Sequence, residues 1–527
     1  ATQVMGGLIG AALQREPRRA LVIGLGTGST AGWLAAVPSI ERVDVVELEA
    51  AILRVAEACA PVNRNVLASP KVRVSIGDAR EYLLASRESY DIIFSEPSNP
   101  YRAGVSSLFT EEFYRAARRR LAPGGVFLQW LQTYEVDLET VRTVYATLAS
   151  VLPDVESWFA RRHDLILAAR TAAPAYDVDF LRARLSEEPF ASAMSLTWGT
   201  AGLEGFLSHF IARSSFVPGL LAGDPPPRNT DDRNIIEFAF ARTLGKDTAF
   251  DPETLSSRAR GEDTPVLSGG RVDWDRVKRW RVSTLTAQGL APPVGPDKKG
   301  EELLQSQAQN NFLEGRLDVV LEHWRAQPWT PVGFIEIAVV AQALANAGDE
   351  SAAAYIALLR ETRPVEAAML LAQLRWRQGR LAEATDLYGT AFARYREDPW
   401  PLFTITKGVF AIVADIAGRD RGLAARLETA LAQPFALSIL DEERLQTRYK
   451  VATYLDQSKL EDAIAALEPE VPWHKGILSL RARLYEATRN PRAALARREF
   501  DSFVEHESAA SAPAPGSPPA GTPVADH

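Results

Sequence analysis

Residues 20–28 read ALVIGLGTG, an apolar run that ends in three glycines, Gly24, Gly26 and Gly28. The apolar run predicts a buried strand, and the glycines predict a tight turn into a helix, where the backbone can approach a ligand closely. A glycine turn alone is equally compatible with a structural role. The NAD-binding fingerprint needs a further glycine at the position of Ser29, so the sequence disfavours NAD.

More apolar runs follow, separated by helix-length segments. The strands are expected at Val43–Glu47, Val72–Asp78, Tyr90–Glu96 and Gly125–Leu131, and the helices at Ala31–Ala36, Ala50–Ala60 and Glu111–Leu121. This alternation predicts an α/β fold with a doubly wound parallel sheet that is covered on both faces. Two later runs, Val155–Phe159 and Leu165–Ala169, predict an antiparallel hairpin that closes the sheet. That ending is typical of AdoMet-type domains and not of NAD-binding ones.

Two acidic residues end strands where a nucleotide could bind. Glu47 follows the second strand, and its carboxylate can accept hydrogen bonds from both ribose hydroxyls. Asp78 follows the third strand and can accept from an adenine amino group, while the backbone N–H of Ala79 donates to a ring nitrogen. The structural alternatives are a solvated acid at Glu47 and a helix N-cap at Asp78. Glu49 is a second, weaker candidate for the ribose.

A third acid, Glu96, ends the fourth strand in the stretch SEPSNP, residues 95–100. Its two prolines stiffen the loop, and the loop lies at the carboxyl edge of the sheet, where ligands of open α/β sheets bind. A single acid beside a nucleotide pocket is a candidate general base. The alternative is a structural acid that pairs with Arg102 or another basic residue.

The block from residue 1 to about residue 170 resembles the spermidine synthase family of polyamine aminopropyltransferases. The resemblance rests on the glycine turn, Glu47-Leu48-Glu49, Gly77-Asp78, Tyr90–Ile93, Asn99-Pro100, Ser107–Phe109, Phe113-Tyr114, Gly124-Gly125 and Gln129. It implies an aminopropyl transfer from decarboxylated AdoMet to an amine, with Glu96 as the base and no metal. It also implies donor contacts from Gln3, Gly24, Gly26, Thr27, Gly28, Glu47, Asp78 and Ala79, and substrate contacts from Asn99 and Gln129.

The sequence departs from the family at several positions. Thr27 stands where the family has an Asp that pairs with the donor's propylamine, and a neutral residue there admits the carboxylate of ordinary AdoMet. Asn99 replaces the second acid of the family's Asp-x-x-Asp-Pro loop, and only Gln3 remains of a Tyr-Gln/His-Glu stretch. Because each lost charge-assisted hydrogen bond is worth roughly 1.5–3 kcal/mol, we expect weak putrescine binding. An AdoMet-dependent methyltransferase and a non-catalytic nucleotide-binding scaffold therefore stay open as alternatives.

Composition limits the partners and the compartment. The net charge of -8 argues against nucleic acid. The single cysteine excludes an intrachain disulfide and favours a reducing compartment. The resemblance is strongest to a subgroup fused behind a multi-pass membrane region, so we expect a cytoplasmic-face protein tethered through a region N-terminal to Ala1. The acceptor would be a small amine or other nucleophile, and a homodimer is one assembly open to the chain.

Beyond residue 170 the patterns change. We expect a helical extension at 171–245, a linker at 246–300, tetratricopeptide-like helical repeats at 301–505 and a disordered tail at 506–527. Turns recur at Gly315, Gly348, Gly379, Gly418, Ser458 and Asn490, at the spacing of stacked helical hairpins that would bind a protein partner. The polar run at 228–232 predicts either a lid over the pocket or a capped turn, and we favour the turn.

Overall fold

The computed structural model describes residues 2–98, 104–243, 250, 253–295, 298–326, 328–406 and 408–511. The chain divides into two compact units. The first comprises Ala1–Ala347, Ser351–Arg363 and Leu402–Thr404, and the second comprises Gly348–Glu350, Pro364–Pro401 and Ile405–His527. Asn99, expected to contact the substrate, and residues 512–527 of the expected disordered tail lie outside the described residues.

The first unit is built on a mixed sheet, and of its ten described strands seven follow the predicted apolar runs. The strands are β1 (Arg19–Ile23), β2 (Arg42–Glu47), β3 (Val72–Ile76), β4 (Tyr90–Ser95), β5 (Leu121–Gln132), β6 (Asp154–Arg161), β7 (Asp164–Arg170), β8 (Tyr176–Asp177), β9 (Phe210–Ala212) and β10 (Leu267–Ser268). β1, β2 and β4 are almost wholly buried, as expected for strands covered on both faces. β8 and β10 pair separately as a small parallel ribbon.

The strand order of the main sheet is β3-β2-β1-β4-β5-β7-β6-β9. β1 to β5 run parallel, and β7 is antiparallel to both β5 and β6. The α/β fold and the closing hairpin are therefore confirmed. Since β1 lies between β2 and β4, the direction of winding reverses there, which is where ligands bind in open α/β sheets.

Helices cover both faces of the sheet and extend the first unit. They are α1 (Thr2–Ala12), α2 (Ser29–Ala35), α3 (Ile52–Ala58), α4 (Ala79–Ala85), α5 (Glu111–Arg120), α6 (Leu138–Val151), α7 (Val178–Ser186), α8 (Phe190–Ala193), α9 (Gly202–Leu207), α10 (Phe216–Leu220), α11 (Ala239–Thr243), α12 (Glu253–Arg258), α13 (Trp274–Ala287), α14 (Gly300–Leu313), α15 (Leu317–Ala326), α16 (Gly333–Asn346) and α17 (Ala352–Arg360).

Local chemistry explains where α5 begins and ends. The Thr110 hydroxyl accepts a hydrogen bond from the N–H of Phe113, and two glutamates occupy the first turn, where the helix dipole favours acids. Arginines fill the last turn, where the helix dipole favours basic residues. The inner face of α5 presents Phe113 and Tyr114 to Phe127 of the sheet, with ring centroids 6.1 and 5.6 Å from that of Phe127.

α1 is a helix that the sequence patterns did not indicate. Nine of its eleven residues are buried, so it has no polar face to give a helical period. It lies directly on the sheet, because a Cβ at Gly10 would come within 2.7 Å of Leu128 Cδ1. α1 thereby carries Gln3 to the glycine turn.

The segments expected to be a helical extension and a linker contain more regular structure than predicted. The expected helical extension at 171–245 also includes β8 and β9, and β9 pairs with β6 at the edge of the sheet. The expected linker at 246–300 includes α13, which buries Trp280 and Leu285. The Pro, Gly and charged residues around α13 obscured these buried positions.

The second unit is helical throughout its described part, as predicted. Its helices are α18 (Pro364–Arg377), α19 (Leu381–Tyr395), the last two residues of α20 (Phe403–Thr406), α21 (Val409–Arg419), α22 (Arg421–Leu431), α23 (Ser438–Ala452), α24 (Gln457–Ala465), α25 (Lys475–Thr488) and α26 (Ala493–Ser511). Tyr388, Phe392 and Val413 belong to its main core. The more specific tetratricopeptide assignment stays a prediction. Across the described residues, no helix has the length and apolar character needed to cross a membrane.

Candidate functional site

The glycine turn and Glu96 meet where the winding of the sheet reverses. Gly24 directly follows β1 with a φ of +94°, and a Cβ there would come within 2.6 Å of the Glu96 carbonyl oxygen. The N–H of Gly24 bonds to the Val46 carbonyl at 2.9 Å, and that of Glu96 bonds to the Ile23 carbonyl at 2.9 Å. Glycine is therefore needed at position 24 both for its conformation and for the close approach of the neighbouring strand end.

Glu47 lies at the end of β2, facing the same turn. Its side chain is 8% exposed. Oε2 accepts from the N–H of Leu25 at 2.8 Å, and Oε1 accepts from the N–H of Glu49 at 2.9 Å. Each carboxylate oxygen can accept a further hydrogen bond, so these contacts orient the group and leave acceptor capacity for a ligand's hydroxyls. The exposed Glu49 takes part only through its backbone.

Asp78 has the structural role that the sequence offered as an alternative, that of a helix N-cap. Its Oδ1 accepts from the N–H of Arg80 at 2.6 Å and of Glu81 at 3.4 Å, which makes it the N-cap of α4. The side chain is exposed, and the adjoining Ala79 is buried. An N-cap carboxylate uses one oxygen for the helix, so this contact is compatible with the expected adenine contact.

Glu96 is surrounded by polar groups in a partly buried position. Thr30 donates its hydroxyl proton to Glu96 Oε2 at 2.6 Å. The pKa of Glu96 is raised to about 7, mainly by burial and to a smaller extent by the charge of Asp164, against hydrogen bonds from Thr30 and Gln3 that lower it. A carboxylate with this pKa exists in both protonation states near neutral pH, which suits a group that takes up a proton.

Thr27 is linked to Gln3, whose side chain also hydrogen-bonds Glu96. The Thr27 hydroxyl donates to Gln3 Oε1 and lies 2.9 Å from the Ser29 hydroxyl. Thr30 also lies 3.0 Å from the Gln3 carbonyl. Thus the expected donor contacts Gln3, Thr27 and the glycine turn are brought together with the candidate base. The position that holds an acid in the family is here a neutral hydroxyl within a hydrogen-bonded set.

Asp164 is a site residue that the sequence patterns missed. It begins β7, and its charge acts on Glu96. Its Oδ1 accepts from the Trp130 indole N–H at 2.9 Å, and its Oδ2 accepts from the Thr2 hydroxyl. Asp164 lies between the two runs that predict the hairpin, and only the antiparallel return of β7 brings it to the carboxyl edge of the sheet. The only sequence signal for this residue is an acid directly before an apolar run.

Gln129 is fully buried on β5, one strand beyond Glu96. It is in register with Ser95, and its Nε2 donates to the carbonyls of Ser95 at 3.4 Å and Trp130 at 3.0 Å. Its Oε1 has no hydrogen-bond partner within the described part of the chain, and neither has the Ser95 hydroxyl. Buried polar atoms in this state are costly unless a ligand or water satisfies them. The expected substrate contact of Gln129 is compatible with this unfilled acceptor.

The polar run at 228–232 forms a capped turn. Thr230 and Arg233 exchange backbone hydrogen bonds of 3.2 Å, and Asn229 Oδ1 accepts from the N–H of Ile236 at 3.3 Å. Asp231 pairs with Arg80, the second residue of α4. This pair attaches the turn beside the expected adenine position. Across the residues that the structure describes, no group of three or more His, Cys, Asp or Glu side chains could hold a metal ion.

Comparison with known families identifies the block that carries this site. Residues 3–161 match the family model of the spermine/spermidine synthase domain. The chain therefore carries a spermine/spermidine synthase domain in its first ~160 residues. The match ends at Arg161, the last residue of β6, so it does not assign the rest of the chain.

Curated relatives show similarity over the same region. A polyamine aminopropyltransferase of Nitrosomonas europaea is 36% identical over 119 residues, which cover 22% of this chain and 36% of the relative. Polyamine aminopropyltransferase 1 of Pseudomonas aeruginosa is 30% identical over 138 residues, covering 26% of this chain and 48% of the relative. The chain thus spans about half or less of the length of these relatives.

Solved structures are similar to about a third of the chain. A spermidine synthase in complex with the transition-state analogue AdoDATO is 20% identical, with a TM-score of 0.29, over 32% of this chain and 61% of that one. Human methyltransferase-like protein 13, in complex with SAH, is 24% identical, with a TM-score of 0.28, over 35% of this chain and 90% of that one. Scores this low add nothing to the fold described above.

Proposed function

We propose that the spermine/spermidine synthase domain binds a sulfonium nucleoside and transfers an alkyl group from it to an amine. The observation that carries the proposal is the connected set at the winding reversal, in which the Gly24 turn, Thr30 and Glu96 are in direct contact. Glu47 would accept the ribose hydroxyls, since both of its oxygens are already oriented by backbone N–H groups. Asp78 would accept from the adenine amino group.

The proposed transfer forms one bond and breaks one. The amine nitrogen attacks the carbon attached to the sulfonium, the carbon–sulfur bond breaks, and its electron pair stays on sulfur, which becomes a neutral thioether. An alkylamine has a pKa near ~10.4 and arrives protonated at neutral pH. Glu96 would accept its proton, because burial and the charge of Asp164 bring the pKa of this carboxyl to about 7. By family, the group transferred is aminopropyl and the donor is decarboxylated AdoMet.

The acid pair Glu96 and Asp164 supports a cationic amine as the acceptor. Asn99 lacks the charge of the family's second acid, and Asp164 supplies a carboxylate from a different element. Trp130 holds Asp164 through its indole N–H at 2.9 Å, so the carboxylate has a defined position. Two carboxylates near each other attract an ammonium group. They repel each other when no cation is bound, which further favours binding of a cation.

Methyl transfer from AdoMet is a second candidate, and Thr27 favours it. AdoMet carries a carboxylate that an acid at this position would repel. The Thr27 hydroxyl instead makes neutral contacts with Gln3 and Ser29. A neutral residue cannot exclude AdoMet in favour of its decarboxylated form.

Calorimetry of the full chain with AdoMet, decarboxylated AdoMet and methylthioadenosine tests the proposal. We expect at least one sulfonium nucleoside to bind, and tighter binding of AdoMet than of the decarboxylated form would favour methyl transfer. Binding of none of the three would overturn the proposal. In a transfer assay, unchanged turnover of Glu96→Gln would remove Glu96 as the base. Exposed Glu49→Gln is the matched control, because only its backbone contacts Glu47.

A further inference from the structure

Three side chains connect the glycine turn to Glu96 through a line of hydrogen bonds. The Ser29 and Thr27 hydroxyls lie 2.9 Å apart, and the Thr27 hydroxyl donates its proton to Gln3 Oε1. Because a hydroxyl has one proton, Thr27 accepts from Ser29 rather than donating to it. The Gln3 side chain also hydrogen-bonds Glu96. The line therefore runs from Ser29 through Thr27 and Gln3 to the candidate base.

The two ends of the Gln3 amide are chemically different, and Thr27 decides which of them faces Glu96. An amide carbonyl oxygen accepts hydrogen bonds, whereas an amide NH2 group donates them. Since Gln3 Oε1 accepts from Thr27, the NH2 group is the end that is left for Glu96. This hydrogen bond lowers the pKa of Glu96, as expected for a donor that faces a carboxylate. A reversed amide would present its carbonyl oxygen, which a carboxylate repels and a protonated carboxyl group satisfies.

The Gln3 amide has a defined place against the glycine turn. A Cβ at Gly26 would come within 2.5 Å of Gln3 Nε2, so glycine at this position leaves the room that the NH2 group occupies. The preceding residue, Thr2, donates its hydroxyl proton to Asp164 Oδ2 at 2.5 Å. The first turn of α1 therefore contacts both acids of the site, and its packing on the sheet keeps the amide beside Glu96.

Other groups act on the charge of Glu96 from neighbouring elements. Thr30 of α2 donates to Glu96 Oε2 at 2.6 Å and favours the ionised form, as does the positive charge of the amino terminus. Burial and the charge of Asp164 on β7 favour the protonated form. These opposing influences bring the pKa of Glu96 to about 7. Near neutral pH, the gain or loss of one hydrogen bond therefore changes the ionised fraction of Glu96.

We propose that Thr27 is a positioning residue that keeps Glu96 ionised by fixing the orientation of the Gln3 amide. The inference rests on the proposed function, in which Glu96 takes a proton from the amine, and it gives Thr27 a role beyond contact with the donor. A residue at position 27 that cannot donate a hydrogen bond releases the amide. With the amide reversed, Glu96 is protonated and cannot take up the proton of the amine. The neutral hydroxyl of Thr27 is thus matched to Gln3.

Nuclear magnetic resonance of the full chain, labelled with carbon-13 at its glutamate side-chain carboxyl groups, tests the proposal without a ligand. The signal that is missing from Glu96→Gln identifies the Glu96 carboxyl group, and its shift with pH gives the midpoint of its titration. We expect a midpoint near pH 7 in the unchanged chain. Thr27→Val should raise this midpoint by about half a pH unit, because a hydrogen bond to the ionised form is lost. Thr27→Ser keeps the hydroxyl and should leave the midpoint unchanged.

Two further measurements separate the link through Gln3 from a general effect on the fold. Gln3→Met should raise the Glu96 midpoint as Thr27→Val does, and adding Thr27→Val to it should cause no further rise. Glu336 of α16 is the internal reference, because burial raises its pKa to about 7 as well. It accepts from side chains of α13 at 3.0 and 3.2 Å, so its midpoint should stay unchanged in each variant that folds.

The outcomes are distinct. An unchanged Glu96 midpoint in Thr27→Val would overturn the proposal. A full further rise when Thr27→Val is added to Gln3→Met would overturn it as well, because position 27 would then act on Glu96 without Gln3. If Thr27→Val is unfolded, Thr27→Ala, which also lacks the hydroxyl, takes its place. Absence of nucleoside binding in calorimetry would overturn the transfer proposal alone, because the titration of the free chain depends on no ligand.

Discussion

The charge state of Glu96 should control how the site distinguishes a charged donor from a neutral one. Decarboxylated AdoMet is a sulfonium cation, whereas methylthioadenosine has the same nucleoside with an uncharged thioether. With the pKa of Glu96 at about 7, its ionised fraction rises from about 9% at pH 6 to about 91% at pH 8. If the ionised form binds the cation, affinity for decarboxylated AdoMet should rise by up to about tenfold over this range, and affinity for methylthioadenosine should stay level.

Two substitutions should move the midpoint of this pH dependence in opposite directions. Asp164→Asn removes a charge that raises the pKa of Glu96, so the midpoint should fall. Thr30→Val removes a 2.6 Å hydrogen bond that stabilises the carboxylate, so the midpoint should rise. The sign follows because a carboxyl group with a lowered pKa is ionised at lower pH.

Calorimetry from pH 5.5 to 8.5 measures both effects without an acceptor. Glu96→Gln should abolish the pH dependence of sulfonium binding, and Glu49→Gln should preserve it. The same pH dependence for both nucleosides would refute the reasoning, because the neutral thioether has no charge for Glu96 to attract. So would its persistence in Glu96→Gln, or a shift of the same sign in both midpoint variants.

Three further outcomes follow from the contacts. Glu47→Gln, which places an amide against the backbone N–H groups that the carboxylate accepts from, should weaken methylthioadenosine binding by about tenfold or more in calorimetry, and Glu49→Gln should not. Gly24→Ala, at a φ of +94° and 2.6 Å from a carbonyl oxygen, should lower the free energy of unfolding by about 1–3 kcal/mol in denaturant titration. Arg481→Met should lower the free energy of unfolding of the second unit by about 1–3 kcal/mol in the same assay, because the buried guanidinium of Arg481 pairs with Glu468 and Glu499, while Glu468 keeps Arg492 as a second partner. An unchanged free energy of unfolding would contradict this.

Much of the fold could be predicted because strand and helix signals are local. The strands from β1 to β4 and the closing hairpin match their apolar runs within one or two residues, whereas β5 begins four residues before its run. α5 begins and ends where its caps indicate. By contrast, α1 is buried almost all round and carries no helical period, and α13 lies within a stretch whose composition indicates a linker.

The site residues that directly follow parallel strands could be predicted from the sequence. Glu47 and Glu96 end β2 and β4, and parallel strands bring their carboxyl ends to one edge. Asp164 could not be predicted this way, because it begins a strand that runs in the opposite direction.

The amino-acid sequence by itself determined the order of the strands from β1 to β7, the glycine turn and the acids at the strand ends, because each depends on neighbouring residues. It also determined that Thr27 and Asn99 are neutral where the family carries acids. Only the tertiary structure decided what surrounds Glu96. Its burial, the Thr30 and Gln3 hydrogen bonds and the charge of Asp164 together set its pKa near 7, and those groups come from different elements that meet only when the sheet is wound.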